Sequence, residues 1–336
     1  MPKGSKTKVL YLIIFVSTLG SIPVFISQKA GFGKGEIKAF ESTITIEEEK
    51  TNVDKYEDTL LQSFGADKEL AFSSPLNPDT SSDLPDVLAE NAITVDITND
   101  QVLFEREANT RVPIASLTKI MTAVVALEHM RLADEILVSE KAGTTKENSM
   151  GISPFEIYTL EDFLYGLVLH SGNDSAVAIA EGAAQTEESF VEWMNIKAEE
   201  LGLKDTSFAD ASGLDDSTYS TAYDLAKLTK YALKNPDFKR VVATFEYEIP
   251  YEEGKHKYLF LSNQTNLLTT YPGVRGVKTG YTEEANYCLV TYAENNGVEI
   301  VGVILDSNAR RSDMVRMLDY SFAKFGIYID HPLLIL

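Results

Sequence analysis

The chain has 336 residues, 44% of them hydrophobic, which is room for one large domain or two ordinary ones around a substantial core. A formal charge of −21 argues against nucleic-acid binding by bulk attraction. The single cysteine, Cys288, excludes an intrachain disulfide and a cysteine-rich metal site, and His129, His170, His256 and His331 form no metal-binding spacing, so no metal site is expected.

Lys3, Lys6 and Lys8 precede an almost wholly apolar stretch, 9–26, broken by Gly20 and Pro23. A basic start followed by such a segment is an export signal, and its length approaches the roughly 17–25 residues that span a bilayer. No convincing small-x-small cleavage site follows it, so 1–26 reads as an N-terminal signal or membrane anchor, an uncleaved anchor being favoured over a cleaved signal peptide, with the lysines inside and the rest of the chain on the extracytoplasmic face of the cell membrane. Residues 27–85 carry Glu47-Glu48-Glu49 and stretches such as Asn77-Pro78-Asp79, a composition of low core-forming power that reads as an acidic disordered linker.

A folded domain is expected over 86–327, followed by a tail, 328–336. Alternation over 92–97, the turn Thr98-Asn99-Asp100 and Val102-Leu103-Phe104 predict a β-hairpin. Helices are predicted from near Ser116, after Pro113, and over 161–169, 175–184, 190–201 (closed by Gly202) and 221–233 with Ser220 as N-cap. After Asn235-Pro236 the pattern turns to strands, over 245–249, 287–293 and 300–305, the last two joined at Asn295-Asn296-Gly297. A final helix over 312–325 ends at Gly326. The fold class is therefore α+β: an antiparallel sheet with the first hairpin beside the last strands, flanked by helices, and a helical lobe from the middle of the chain. A cleft between sheet and lobe is the natural site.

Three short motifs carry chemistry. In Ser116-Leu117-Thr118-Lys119 the serine and lysine are one helical turn apart and share a face. A serine hydroxyl needs a neighbouring base, and a lysine amine becomes one when desolvation lowers its pKa. Alone the tetrapeptide is common, and most copies are a helix N-cap with an exposed lysine. Ser171-Gly172-Asn173 places a hydroxyl and an amide in a turn, and Lys278-Thr279-Gly280 offers a cation, a hydroxyl and a close backbone approach at the start of a predicted strand. Each is uninformative by itself; in this order they form one set.

With their flanks, 113–123, 171–174, 219–225 and 272–282, these motifs resemble the D-alanyl-D-alanine carboxypeptidases, the low-molecular-mass penicillin-binding proteins of the serine β-lactamase-like superfamily, over about residues 86–326. The resemblance implies that fold and a serine-type hydrolase that trims the terminal D-alanine of peptidoglycan pentapeptides in cell-wall synthesis. Ser116 would attack, Lys119 act as base and Ser171 relay a proton to the leaving amine. Asn173 would position the substrate amide, Lys278 and Thr279 the terminal carboxylate, and Gly280 admit the peptide backbone. The N–H groups of Ser116 and Tyr281 would form the oxyanion hole. It also implies β-lactams as covalent inhibitors and no cofactor. Family members commonly add a small β-rich C-terminal domain and an amphipathic anchor; here the N-terminal segment is expected to replace that anchor. Asn286 stands where many relatives have glycine, and Arg310 or Arg311 is a candidate for the carboxylate.

Three alternatives share these motifs: a D,D-endopeptidase, a β-lactamase and a binding module without turnover. A class A β-lactamase requires a glutamate in an E-x-x-L-N context, and none occurs between Ser171 and Lys278, where Glu181 and Glu187 are helix-surface candidates.

Overall fold

The computed structural model describes residues 71–73, 84–265 and 267–333. The expected anchor, 1–26, and most of the expected linker lie outside them. Among the described residues no helix is long and apolar enough to cross a membrane.

The first hairpin, β1 (Asn91–Asp96) and β2 (Gln101–Arg106), turns where Asp96 accepts from the backbone N–H groups of Thr98 and Asn99. Asp100 completes that turn with φ +56°. Three long strands close the domain: β3 (Val274–Thr282), β4 (Asn286–Asn295) and β5 (Val298–Ser307). Asn296 and Gly297, both at positive φ, make the tight β4–β5 connection that matches strand twist. The five strands form one antiparallel sheet in the order β2-β1-β5-β4-β3, so the first hairpin lies beside the last strands as the sequence predicts.

The period-2 alternation assigns the two faces. Ala92, Phe104 and Ile304 pack under the C-terminal helix through its Met314, Leu318 and Phe322. That helix runs from Arg310 to Ala323. Ile93, Val95, Val290 and Val303 face the helical lobe. At the lobe's centre lies α1 (Lys119–His129), buried at every position but the last. Around it stand α2 (Leu160–Leu169), α3 (Asn173–Ala184), α4 (Glu187–Glu200) and α5 (Ala222–Ala232).

Several local expectations are corrected. The segment at Ser116 opens as a 3-10 turn, Ala115–Thr118, before α1 begins at Lys119. Thr221, not Ser220, caps α5, its side chain accepting from Asp224 N–H at 3.0 Å. Asn235-Pro236 does not switch the chain to strand. Proline at the first helical position and Asn235 as N-cap start a further short helix, α6 (Pro236–Val242). The strand predicted at 245–249 exists as Glu246–Ile249 but pairs with Leu259–Ser262 in a separate hairpin outside the main sheet. Within the stretch expected to be linker, Phe72 is buried edge-on against Tyr223, and Ser73 bridges to Gln101, so the domain gathers an element from before residue 86. In the expected tail, His331 stacks on Tyr271 and meets Asp319 at 3.0 Å.

Candidate active site

The site lies where the 3-10 turn passes edge strand β3. Ala115 has φ +48°, a strained conformation for a residue with a side chain, and it sets the approach to Ser116. A Cβ built on Gly280 would stand only 3.1–3.3 Å from Ile114 O, Ser116 N and Ala115 Cβ, so the K-T-G glycine is what lets the strand run against the nucleophile turn. The K-T-G triplet sits in the second half of β3, not at its start.

Lys119 is fully buried, and its Nζ has three partners: Ser116 Oγ at 2.9 Å, Asn173 Oδ1 at 2.7 Å and the Ser212 carbonyl at 2.6 Å. Desolvation lowers its pKa from 10.5 to about 7, against the opposing pull of Asp210 and Asp174. A neutral amine has two N–H groups and one lone pair. The amide oxygen and the carbonyl can only accept, so they take the two N–H groups. Of the three partners only the Ser116 hydroxyl can donate, and the lone pair is left for it.

A second buried lysine faces the same cleft. Lys278 Nζ donates to Ser171 Oγ at 2.9 Å and to the Thr279 carbonyl at 2.8 Å. Burial, then the neighbouring charges of Lys119 and Arg310, hold its pKa well below the ordinary lysine value. Ser171 itself has φ +56°, bent out of the regular backbone between α2 and α3.

Asn173 is the first residue of α3. Its Nδ2 donates to the Glu147 carbonyl at 2.9 Å, which fixes the amide so that Oδ1 points at Lys119. Asp174, buried directly after it, accepts from Ser149 Oγ and from the backbone N–H groups of Met150, Gly151, Ile152 and Ser175. One carboxylate thus pins the 149–152 segment beside the cleft.

The structure therefore brings Ser116, Lys119, Ser171, Asn173, Lys278 and Gly280 together. Thr279 is half-buried on the same strand and Tyr281 is exposed at its end, its ring 4.6 Å from that of Tyr287. Of the two arginines, Arg310 touches this strand, donating to the Gly280 carbonyl at 2.9 Å. Asn286 occupies a left-handed position (φ +54°), which explains why glycine suits it and asparagine tolerates it. The two glutamates weighed for water activation are engaged elsewhere. Glu181 accepts from Ser139, and Glu187 pairs with Lys141 and accepts from Ala211 N–H.

Sequence reasoning missed Asp174, Asp210 and the carbonyls of Ser212 and Glu147. The two aspartates had a signal, one adjoining the S-G-N motif and one opening the turn-forming run Asp210-Ala211-Ser212-Gly213. The carbonyls had none, because every residue carries one.

The D-alanyl-D-alanine carboxypeptidase family model matches residues 78–309. The chain is 36% identical over 254 residues to the D-alanyl-D-alanine carboxypeptidase DacF of Bacillus subtilis, covering 73% of this chain and 64% of that protein. It is 32% identical over 246 residues to a D-alanyl-D-alanine endopeptidase of Haemophilus influenzae, 71% of this chain and 82% of that one. Among solved structures, a Streptomyces DD-transpeptidase superposes with a TM-score of 0.68 at 31% identity, over 71% of this chain and 98% of the other. A D-alanyl-D-alanine carboxypeptidase of Mycobacterium tuberculosis gives 0.69 at 32% identity, over 74% and 96%. With its sheet, its helical lobe and its three motifs in one cleft, the chain belongs to the D-alanyl-D-alanine carboxypeptidase family.

Proposed function

We propose that the protein is a serine-type D-alanyl-D-alanine carboxypeptidase that removes the terminal D-alanine of peptidoglycan pentapeptides. One observation carries this reading: a fully buried lysine, its pKa lowered by desolvation to about 7, that is hydrogen-bonded to the Ser116 hydroxyl at 2.9 Å, the one of its three described partners that can donate. Ser116 Oγ attacks the carbonyl carbon between the two D-alanines while its proton passes to Lys119 Nζ. The N–H groups of Ser116 and Tyr281 hold the developing oxyanion. The C–N bond breaks as the leaving amine takes a proton from Lys119 by way of the Ser171 hydroxyl, and D-alanine departs. Water then cleaves the ester and returns the proton to Ser116. Asn173 holds the substrate amide, and Lys278 with Thr279 receives the terminal carboxylate. β3 is an edge strand, so an extended peptide can pair along it. β-Lactams enter the same sequence as acylating inhibitors.

The test is intact mass after incubation with benzylpenicillin, with the adduct mapped, alongside D-alanine release from a pentapeptide mimic. Expected are one adduct, on Ser116, and release that disappears in Ser116→Ala. Adduct without D-alanine release would leave only a binding module, and rapid penicillin hydrolysis would indicate a β-lactamase. A D,D-endopeptidase uses the same machinery, and the Haemophilus relative carries that name. Cleavage of a cross-linked dimer faster than of the pentapeptide would decide for it.

Residues 1–26 are, on this reading, a membrane anchor, and the linker 27–85 serves as a tether that lets the catalytic domain reach the wall on the outer side. The support is compositional: three lysines followed by an apolar run. The full chain should sediment with membranes through carbonate washing, and deletion of residues 1–26 should release it; a full chain extracted by carbonate would reject the anchor.

A further inference from the structure

The wall of the cleft opposite Asn173 is a turn without any of the three motifs. Asp210 accepts there from Ser212 Oγ at 2.7 Å, Gly213 N–H at 2.7 Å, Leu214 N–H at 2.9 Å and Asp215 N–H at 3.3 Å. This one carboxylate replaces the missing ladder bonds of a tight turn. The turn is pressed against the nucleophile. A Cβ on Gly213 would fall 1.9 Å from the Ala115 carbonyl oxygen, and Thr122 of α1 donates to the Ala211 carbonyl at 2.6 Å. At the far end Asp216 accepts from Thr282, the last residue of β3, so the turn spans from α1 to the substrate strand.

We propose that Asp210 is a positioning residue for the serine–lysine pair: its carboxylate fixes the 211–215 turn so that the Ser212 carbonyl takes one Lys119 proton and Gly213 seats beneath Ala115. This rests on the peptidase reading. If the turn loosens, the Ser212 carbonyl leaves Lys119 with one fixed acceptor, Asn173, and the lone pair is no longer aimed at Ser116. Asp210 also acts through space. The charged groups around Lys119 are Asp174 from α3, Lys278 from β3, Arg310 beyond it and Asp210 from the turn, and of these Asp210 is the stronger of the two that favour the ammonium form.

The experiment measures the acylation rate of the full chain by a fluorescent penicillin from about pH 5.5 to about 9, with melting temperatures in parallel. Asp210→Ala should acylate about tenfold more slowly, the loss of one fixed hydrogen bond's worth of alignment. Asp210→Asn keeps an acceptor for Gly213 N–H, so more of its rate survives. With the negative charge gone, its acidic limb moves to lower pH. Asp215→Asn removes a charge from the same turn without touching Lys119 and should leave rate and limb unchanged. If the alanine variant does not accumulate folded, the asparagine variant carries the test. Asp210 variants with the wild-type rate and limb overturn the proposal, as does an equal shift in Asp215→Asn. Wild-type protein that takes no label brings down the peptidase reading along with it, whereas labelled wild type with unchanged variants removes the Asp210 role alone.

Discussion

Lys119→Ala is expected to acylate Ser116 with benzylpenicillin about 10²–10⁴-fold more slowly than wild type, the range a positioned general base contributes. The geometry sets this size. Lys119 is hydrogen-bonded to the Ser116 hydroxyl, and Lys278, the other amine in the cleft, is turned to Ser171 and the Thr279 carbonyl. Among the described residues no second base is hydrogen-bonded to Ser116 Oγ. Lys119→Arg should fail as completely as alanine, because a guanidinium keeps the positive charge but cannot lose a proton. Rescue by arginine would mean that the lysine acts only as a fixed charge. The wild-type rate should rise with pH through about 7, since the amine works in its neutral form and its pKa lies there. Stopped-flow acylation across that range, with circular dichroism to confirm folding of each variant, reads all three outcomes. Normal acylation by Lys119→Ala would sink the base assignment.

The architecture was legible because the strands that make it alternate cleanly. Ile93 and Val95 point one way and Ala92 the other, and the pattern holds in the paired strand at Val303 and Ile304. The site residues were legible for another reason. Ser116 with Lys119, Ser171 with Asn173, and Lys278 belong to motifs tied to short stretches of chain whose local turns fix their spacing, and the proposed reaction needs them together. What lay hidden was the long-range support. Asp210 reaches Lys119 only because a turn 91 residues downstream of it folds under Ala115, a contact with no period and no local signature. The 3-10 opening at Ala115 was equally hidden, since a positive φ at alanine is imposed by the strand passing at Gly280 and by the turn at Gly213 rather than by alanine's own preference. The hairpin 246–262 was half legible. Its first strand alternates, but its partner strand could be found only in the fold, where Tyr247 opposes Leu261 and stacks on Tyr165 of α2.

The same chemistry that arms the site should tax the fold, and in a pH-dependent way. Lys119 titrates at about 7 in the native protein and at its ordinary 10.5 when unfolded. Between those values the unfolded chain binds more protons than the native one, so stability rises with pH. Below the native pKa the penalty is fully present, and above 10.5 it is gone. At about 1.4 kcal/mol per pH unit the whole span corresponds to about 5 kcal/mol, of which about 2 kcal/mol is recovered between pH 7 and pH 9. Lys278, buried and lowered in the same direction, adds to the slope. Urea unfolding of the wild type should therefore show greater stability at pH 9 than at pH 7, where most domains are already at their plateau. Lys119→Met, similar in length and without a titrating group, should lose the share of that gain that belongs to Lys119, about 2 kcal/mol, and keep the share of Lys278. A wild type whose stability is flat or falling between pH 7 and pH 9, or a methionine variant that keeps the full slope, would show that the amine is charged in the native cleft, and a charged amine has no lone pair with which to take the Ser116 proton.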